Sequence, residues 1–347
     1  MMLQDTRTEP PFLSIVVPLR NEEKTLAECL AAIAAQQWPA ERFEVLLVEG
    51  GSRDATRAVA EAWCARDGRF RLLDNPGGLV SRALNRGVAA ARGGIVVRID
   101  AHTLPDPDYL ARSVAALAET GAWCVGGPML ARGTTPVGEA VALAMRHPFG
   151  AGPARFRYAR RRERVDTVYL GAFPRQALER VGPFEERLVR NQDYEMNWRI
   201  RCAGGGVLVD PAIRSTYLTR ATLAEVWRQY FDYGFWKRRM LRLHPRSVRP
   251  RQLVAPLFVL CLLLAALASG AASAGWLAPA LVWALPTLAG LYLAAALGVS
   301  LSLAARQGLR HLSRLPVVLA TMHFAWGLGF LAACARPWPE ARAPRAA

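Results

Sequence analysis

Three long uncharged apolar stretches, Leu253 to Ala272, Trp276 to Leu303 and Leu315 to Cys334, constrain this 347-residue chain more than any other feature. Each reaches the roughly 20 residues that a helix needs to cross about 30 Å of hydrocarbon. Uninterrupted apolar runs of this length are rare in soluble cores, so the pattern predicts three transmembrane helices in place of a buried globular bundle. From Met1 to about Arg251, by contrast, apolar and charged residues are interleaved as in a domain that folds in water. The 52% hydrophobic content is thus the sum of two unlike parts.

The division by composition runs 1–221 for a soluble domain, 222–252 for a basic amphipathic segment, 253–334 for the three membrane helices and 335–347 for a short tail. Met1 to Pro11 is polar and has no apolar h-region with a cleavage site, so no signal peptide is expected and the first domain is expected in the cytosol. Of the formal net charge of +16, much lies beside the apolar runs. Lys237, Arg238, Arg239, Arg242, Arg246, Arg249 and Arg251 precede the first, and Arg306, Arg310 and Arg314 separate the second from the third. Positive loops stay cytoplasmic. The expectation is a multi-pass protein of the inner (plasma) membrane with its soluble domain inside and its tail outside. Charge placed in this way points to a membrane as partner and not to nucleic acid. A second cluster, Arg155, Arg157, Arg160, Arg161, Arg162 and Arg164, either serves an anionic substrate or is a solvated face. Six cysteines without paired metal-ligand spacing are expected to be reduced, buried and structural.

Within the soluble part, Leu13 to Leu19 is a short apolar run, followed by polar residues and then Leu26, Cys29, Leu30 and Ile33 at helical spacing. The pattern recurs. Glu44 to Val48 reads as a strand, Glu49 to Asp54 as a Gly/Ser loop, and Ala55 to Cys64 as a helix that Ser52 or Asp54 can cap. Arg69 to Leu73 is a third strand, Leu79 to Ala91 a helix, and Ile95 to Ile99 a buried strand. A helix near Tyr109 to Glu119 and a strand near Trp123 to Val125 follow, then an irregular stretch to about Asp166. Alternating strands and helices imply an α/β fold with a mostly parallel sheet and helices on both faces. Ligands of such sheets bind beyond the carboxyl ends of the strands, so Arg20 to Glu22, Glu49 to Ser52 and Asp100 to His102 are expected to line one crevice. There Glu22 and Glu49 can accept hydrogen bonds from a base or a ribose, and Asp100 can hold a divalent cation. Each alone also reads as a solvated loop residue or a helix cap.

Their order along the chain adds information. SIVVPLRNEE at Ser14 to Glu23, VEGGSRDAT at Val48 to Thr56 and VVRIDAHT at Val96 to Thr103 resemble the motifs of the inverting glycosyltransferase family 2. LGAFPRQALERVGPFEE at Leu170 to Glu186 and NQDYEMNWRI at Asn191 to Ile200 are similar to its acceptor-side segment and catalytic aspartate motif. The resemblance covers about 220 residues and implies a GT-A domain, binding a nucleotide sugar, that is followed by the helical membrane region. It implies Pro18, Glu22, Glu49, Ser52, Asn85 and Asp100 as donor-binding residues, Asp100 and His102 as metal ligands, and Asp193 as catalytic base. His102 stands where the family's DxD motif ends in aspartate. A neutral imidazole there favours Mn²⁺ over Mg²⁺, or else His102 only bonds the diphosphate or caps the following turn. The variant DAH, with RQYFDYGFWK at Arg228 to Lys237, resembles bacterial succinoglycan-type β-1,3-glucosyltransferases, which elongate a lipid-linked oligosaccharide. This implies UDP-glucose as donor, a lipid-linked glycan as acceptor, and a role in exopolysaccharide or cell-envelope glycan synthesis.

An inverting transfer needs a base for the acceptor hydroxyl. Asp193 has that position, and Glu195 is the alternative. On a helix the two point about 200° apart, so only one faces the crevice. Arg82 and Arg98 are candidates to stabilise the departing diphosphate. Gln229 and Tyr233 loosely echo the family's QxxRW, whose arginine and tryptophan are absent, so a single addition is expected and not processive synthesis. Thr222 to Leu243 mixes aromatic with basic residues as a helix at the membrane interface does. The rival reading is a catalytically weak nucleotide-sugar-binding membrane protein; a transporter subunit is disfavoured, because the apolar helices lack acidic or histidine pairs near their middles apart from His323 and so show no obvious polar pathway.

Overall fold

The computed structural model describes residues 9–336 apart from Pro153. The polar start Met1 to Pro11 lies mostly, and the tail 335–347 almost wholly, outside these residues. In chain order the elements begin β1 (Leu13–Leu19), α1 (Leu26–Ala34), β2 (Phe43–Glu49), α2 (Thr56–Arg66), β3 (Phe70–Asp74), α3 (Val80–Ala90), β4 (Ile95–Arg98), β5 (Thr103–Pro105), α4 (Tyr109–Thr120), β6 (Cys124–Gly127) and β7 (Met129–Arg132). Then follow α5 (Pro136–Met145), α6 (Pro148–Ala151), β8 (Glu163–Arg164), β9 (Tyr169–Pro174), α7 (Arg175–Val181), α8 (Gln192–Cys202), β10 (Val207–Val209) and β11 (Ser215–Leu218). The chain closes with α9 (Leu223–Leu243), α10 (Val254–Ser273), α11 (Ala284–Gln307) and α12 (Leu315–Ala335).

Two compact units result. Among the described residues, the first takes 9–132 together with Ala154–Leu218, and the second takes 133–152 together with 219–336. The first is an eight-stranded sheet ordered β3-β2-β1-β4-β9-β6-β10-β8, beside a small sheet ordered β5-β11-β7. β9 runs antiparallel to β4 and β6, and β8 antiparallel to β10, so the large sheet is mixed while its first four strands are parallel. Alternation along each strand serves both faces. Leu13, Ile15 and Val17 of β1 pack with Phe43, Val45 and Leu47 of β2 under α1, α2 and α4. Val16, Leu46, Val48 and Val96 pack on the other face with Ala83 and Leu84 of α3, Leu178 of α7, and Met196 and Ile200 of α8. Pro18 fits within β1 because Val16 is the last residue paired with β4 and its carbonyl already accepts from Ile99. The same edge, two residues on, needs no donor.

Between β1 and β4 the strand order reverses, since β2 and β3 lie on one side and β4 on the other. Such a switch point opens a crevice beyond the carboxyl ends of the strands.

The second unit is helical. Three helices are long and apolar enough to cross a membrane: Val254–Ser273, Pro279–Gln307 and Leu315–Ala335. Leucines of α10 and α11 such as Leu257, Leu264, Leu267, Leu291 and Leu297 are exposed, as side chains facing lipid are. α9 packs along α12 at backbone distance. A Cβ on Gly234 would meet the Trp326 carbonyl oxygen at 2.0 Å, and one on Gly329 the Phe231 oxygen at 2.1 Å. The stretch that reads as irregular contains α5 and α6, which belong to this unit. His323 is satisfied there: its Nε2 lies 2.7 Å from the Phe149 carbonyl oxygen and its Nδ1 3.0 Å from the Tyr292 hydroxyl. All six cysteines are free, and only Cys29 and Cys124 are buried, whereas Cys202, Cys261 and Cys334 are exposed, against the expectation of burial for all.

Candidate active site

The loops after β1, β2 and β4 are tied to one another by hydrogen bonds. The Asn21 amide donates to the Ser52 hydroxyl at 3.0 Å, and the Arg53 amide to Asn21 Oδ1 at 2.9 Å. The Glu22 amide donates to the Thr56 hydroxyl at 2.7 Å. Asn21 adopts a left-handed φ of 54°, which asparagine tolerates better than most residues. His102 Nδ1 lies 3.0 Å from Glu22 Oε1, so the first and third loops meet through side chains. At the start of α2 the Asp54 carboxylate, and not Ser52, accepts from the first-turn amide, that of Thr56, at 3.0 Å.

Glu49 is 3% exposed and turned onto its own loop. Its carboxylate accepts from the amides of Ser52 at 2.6 Å and Gly51 at 3.0 Å. Burial opposes its charge, but the bonds from Ser52 and Gly51, with Arg57 nearby, hold its carboxyl below the usual glutamate value. Gly51 has φ 72°, which suits glycine and lets both amides point inward.

Beyond β4 lies a charged triad. Arg98 is 6% exposed and shares with Val96 the face covered by α7 and α8. Its Nε lies 2.8 Å from Asp100 Oδ1 and its Nη2 3.3 Å from Oδ2, a fork on one carboxylate. Its Nη1 bonds Asp193 Oδ1 as well. Burial opposes the charge on Asp100, yet Arg98 and then His102 hold its carboxyl below the usual range. Partial burial pushes Asp193 the other way, its side chain being 34% exposed. Arg98 pulls it back, the Asp100 charge adds to the rise, and the net is a carboxyl above its ordinary value.

Asp193 sits in the first turn of α8, where the N-terminal dipole favours a carboxylate, and follows Asn191 at φ 65°. Glu195, two residues on, is buried and faces elsewhere. Arg199 grips it at 2.7 and 2.9 Å and also bonds the carbonyls of Val181, Gly182 and Pro183. Of the two candidate bases, only Asp193 joins the triad.

The remaining residues divide. Glu22, Ser52, Asp100, His102 and Asp193 are linked as described, and Pro18 ends β1 beneath the first loop. Asn85 is not among them: its amide donates to the Phe184 carbonyl at 3.0 Å and accepts from the Phe184 amide at 2.7 Å, bracing α3 against the chain before α8. Arg82 is exposed and paired with Glu186 at 3.0 Å. In the second basic cluster Arg155 pairs with Glu163, and Arg162 with Glu119 and Asp210. Sequence reasoning did not find Tyr169 and Tyr217. The Tyr169 hydroxyl bonds Thr103, and the Tyr217 ring meets both Tyr169 and His102 edge-on. Arg190, whose charge also lowers Asp100, was missed too. The spacing of Arg98 from Asp100, two apart on one strand face, was the available signal for the ion pair.

The donor set fits a divalent cation held in part by the protein. Asp100 supplies an ionised oxygen ligand of the kind Mg²⁺ and Mn²⁺ take. With Glu22 on Nδ1, His102 leaves Nε2 for a metal, the arrangement in which a carboxylate orients a ligating imidazole. Among the described residues no cluster of three or more His, Cys, Asp or Glu side chains could complete the shell. The rest would come from diphosphate and water.

The profile of glycosyl transferase family 2 matches residues 14–182. Over 323 residues the chain is 31% identical to the succinoglycan biosynthesis protein ExoA of Rhizobium meliloti, covering 91% of this chain and 93% of that one. It is 26% identical over 239 residues to a dolichyl N-acetyl-alpha-D-glucosaminyl phosphate 3-beta-D-2,3-diacetamido-2,3-dideoxy-beta-D-glucuronosyltransferase of Methanococcus voltae, covering 67% and 74%. In structure it is similar to mannosyltransferase PcManGT from Pyrobaculum calidifontis in complex with GDP-Man and Mn²⁺, with a TM-score of 0.59 at 21% identity, covering 92% of this chain and 88% of that one.

Proposed function

Because this chain belongs to glycosyl transferase family 2 and has the GT-A fold, we propose that it is a membrane-anchored inverting hexosyltransferase. In this reading it moves glucose from UDP-glucose onto a hydroxyl of a lipid-linked oligosaccharide in exopolysaccharide or cell-envelope glycan synthesis. The observation that carries the reading is the meeting of Asp100 and Asp193 on Arg98 at one strand end, which supports Asp100 as the cation's ligand and Asp193 as the base. Similarity to the succinoglycan biosynthesis protein ExoA along nearly the whole chain supports the glycan pathway, and similarity to the dolichyl-phosphate-sugar transferase of Methanococcus voltae supports the lipid-linked acceptor. The three apolar helices support a multi-pass protein of the plasma membrane, with the catalytic domain on the cytoplasmic side.

Pro18, Glu22, Glu49 and Ser52 form the wall on which the uridine lies. Glu49 acts by holding the Gly51–Ser52 loop, and its carboxylate meets the nucleoside only where that loop opens. Asn85 acts from outside this wall, through the Phe184 backbone. Asp100 and His102 would hold a Mn²⁺ or Mg²⁺ ion, with Mn²⁺ favoured by the imidazole. That ion supplies positive charge to the diphosphate. Asp193 orients the acceptor hydroxyl and takes its proton as the oxygen bonds the anomeric carbon. The bond from that carbon to the diphosphate oxygen breaks on the opposite face, the electron pair leaves with UDP, and the configuration inverts.

The test uses the full chain in membranes with a lipid-linked acceptor, Mn²⁺ and a panel of UDP- and GDP-sugars. UDP-glucose should give a product of inverted anomeric configuration by NMR. Asp193→Asn should lower turnover by a factor of about 10² to 10⁴ with donor binding retained, and Asp100→Ala should weaken donor binding. Unchanged transfer in either variant would remove the role assigned to it. Binding of UDP-sugars without any transfer would favour the rival, a nucleotide-sugar-binding membrane protein.

A further inference from the structure

Arg98 bonds both Asp100 and Asp193. It is buried, it occupies both oxygens of Asp100 as a fork, and a third N–H reaches Asp193. A divalent cation and this guanidinium therefore compete for the same carboxylate and repel each other across it. The two acids and Arg98 sum to one negative charge, which is little to attract a free dication. A dication arriving with a diphosphate brings its own counter-charge and loses less by displacing the arginine.

We propose that Arg98 is a resident counter-cation that guards the metal site: it holds Asp100 until cation and diphosphate enter together, and is then left to Asp193 alone, fixing the carboxylate that serves as base. The inference rests on the sugar-transfer reading for the role of Asp193, but not for the competition at Asp100. Arg98 is thus a positioning residue, and the departing diphosphate is not its partner.

A purely structural arginine and a competing one predict opposite signs when removed. Loss of a structural support loosens Asp100 and weakens metal binding. Loss of a competitor strengthens it. The experiment measures Mn²⁺ binding by EPR in the full-length, detergent-solubilised chain without donor, and then transfer kinetics with donor and lipid-linked acceptor. Arg98→Gln should bind Mn²⁺ at least about tenfold more tightly than wild type. Its transfer turnover should fall by about 100-fold with the donor KM not raised. Arg98→Lys keeps the charge but cannot fork both oxygens. It should bind Mn²⁺ several-fold more tightly and retain most of the turnover, and it carries the test where Arg98→Gln does not fold.

Mn²⁺ binding equal to or weaker than wild type in a variant with wild-type circular dichroism and melting would overturn the competition. A kinetic loss confined to donor KM would overturn the handover to Asp193. Should the wild-type chain transfer no sugar while the Mn²⁺ affinities shift as expected, the transfer reading fails and the competition at Asp100 stands.

Discussion

With Asp193 as the proposed base, its charge sets how activity depends on pH. Burial raises its carboxyl above the ordinary aspartate value of about 3.9, against the pull of Arg98. A base works only when ionised, so activity is present above that raised value and is lost as pH falls through it. The acid limb of kcat/KM for the donor, which reports the free enzyme, should therefore lie above the range of an ordinary aspartate. A limb at or below about 3.9 would contradict the environment described for Asp193. Glu22, Glu49 and Asp100 were legible in the sequence because each follows a strand that periodicity predicts, and Asp193 through the motif that resembles the family's. What each touches was not: Glu49 spends its carboxylate on its own loop and Glu22 on His102, and both depend on loop conformations that local pattern leaves open.

At the level of elements, the packing of α9 on α12 explains why a helix rich in tryptophan and arginine is held at all. Read alone, Thr222 to Leu243 is an interfacial helix, and its capping box from Thr222 and Glu225 is visible in the sequence. Its partner is not visible, since Gly234 and Gly329 acquire meaning only where the two backbones approach. Small residues that let helices meet closely are a main source of association in membranes. Gly234→Val places its Cβ against the Trp326 backbone and should destabilise the second unit by at least about 2 kcal/mol. Gly290, with no atom within 4 Å of an added Cβ, is the control. Gly290→Ala should be neutral or stabilising by up to about 1 kcal/mol. Thermal melts in detergent compare the two. Equal melting temperatures would mean that α9 and α12 are not in backbone contact.

For the whole molecule, the three apolar helices and the charge beside them make a topological statement that can be checked directly. If all three cross the bilayer, the chain ends lie on opposite sides. A reporter fused before Met1 should signal from the cytoplasm and one fused after Ala347 from the other side, with the protein resisting alkaline extraction from membranes. Both reporters on one side would mean that one apolar helix lies within the membrane plane or is buried in protein. The excursion of residues 133–153 into the second unit has no counterpart in a linear reading. Its apolar helix α5 is short, and ten residues are too few to declare a membrane association by composition.

The sequence by itself determined the alternation of strands and helices, the order of the acidic motifs and the three apolar spans. These follow from periodicity, composition and spacing, which are properties of neighbours along the chain. Only the tertiary structure decided that Arg98 bridges Asp100 and Asp193, and that Asn85 braces Phe184. Each of the bonds to Asp193 and Phe184 joins residues 95 or more positions apart. The energy of such a contact depends on burial and on the one rotamer that the surrounding core permits, and neither is written in the local pattern.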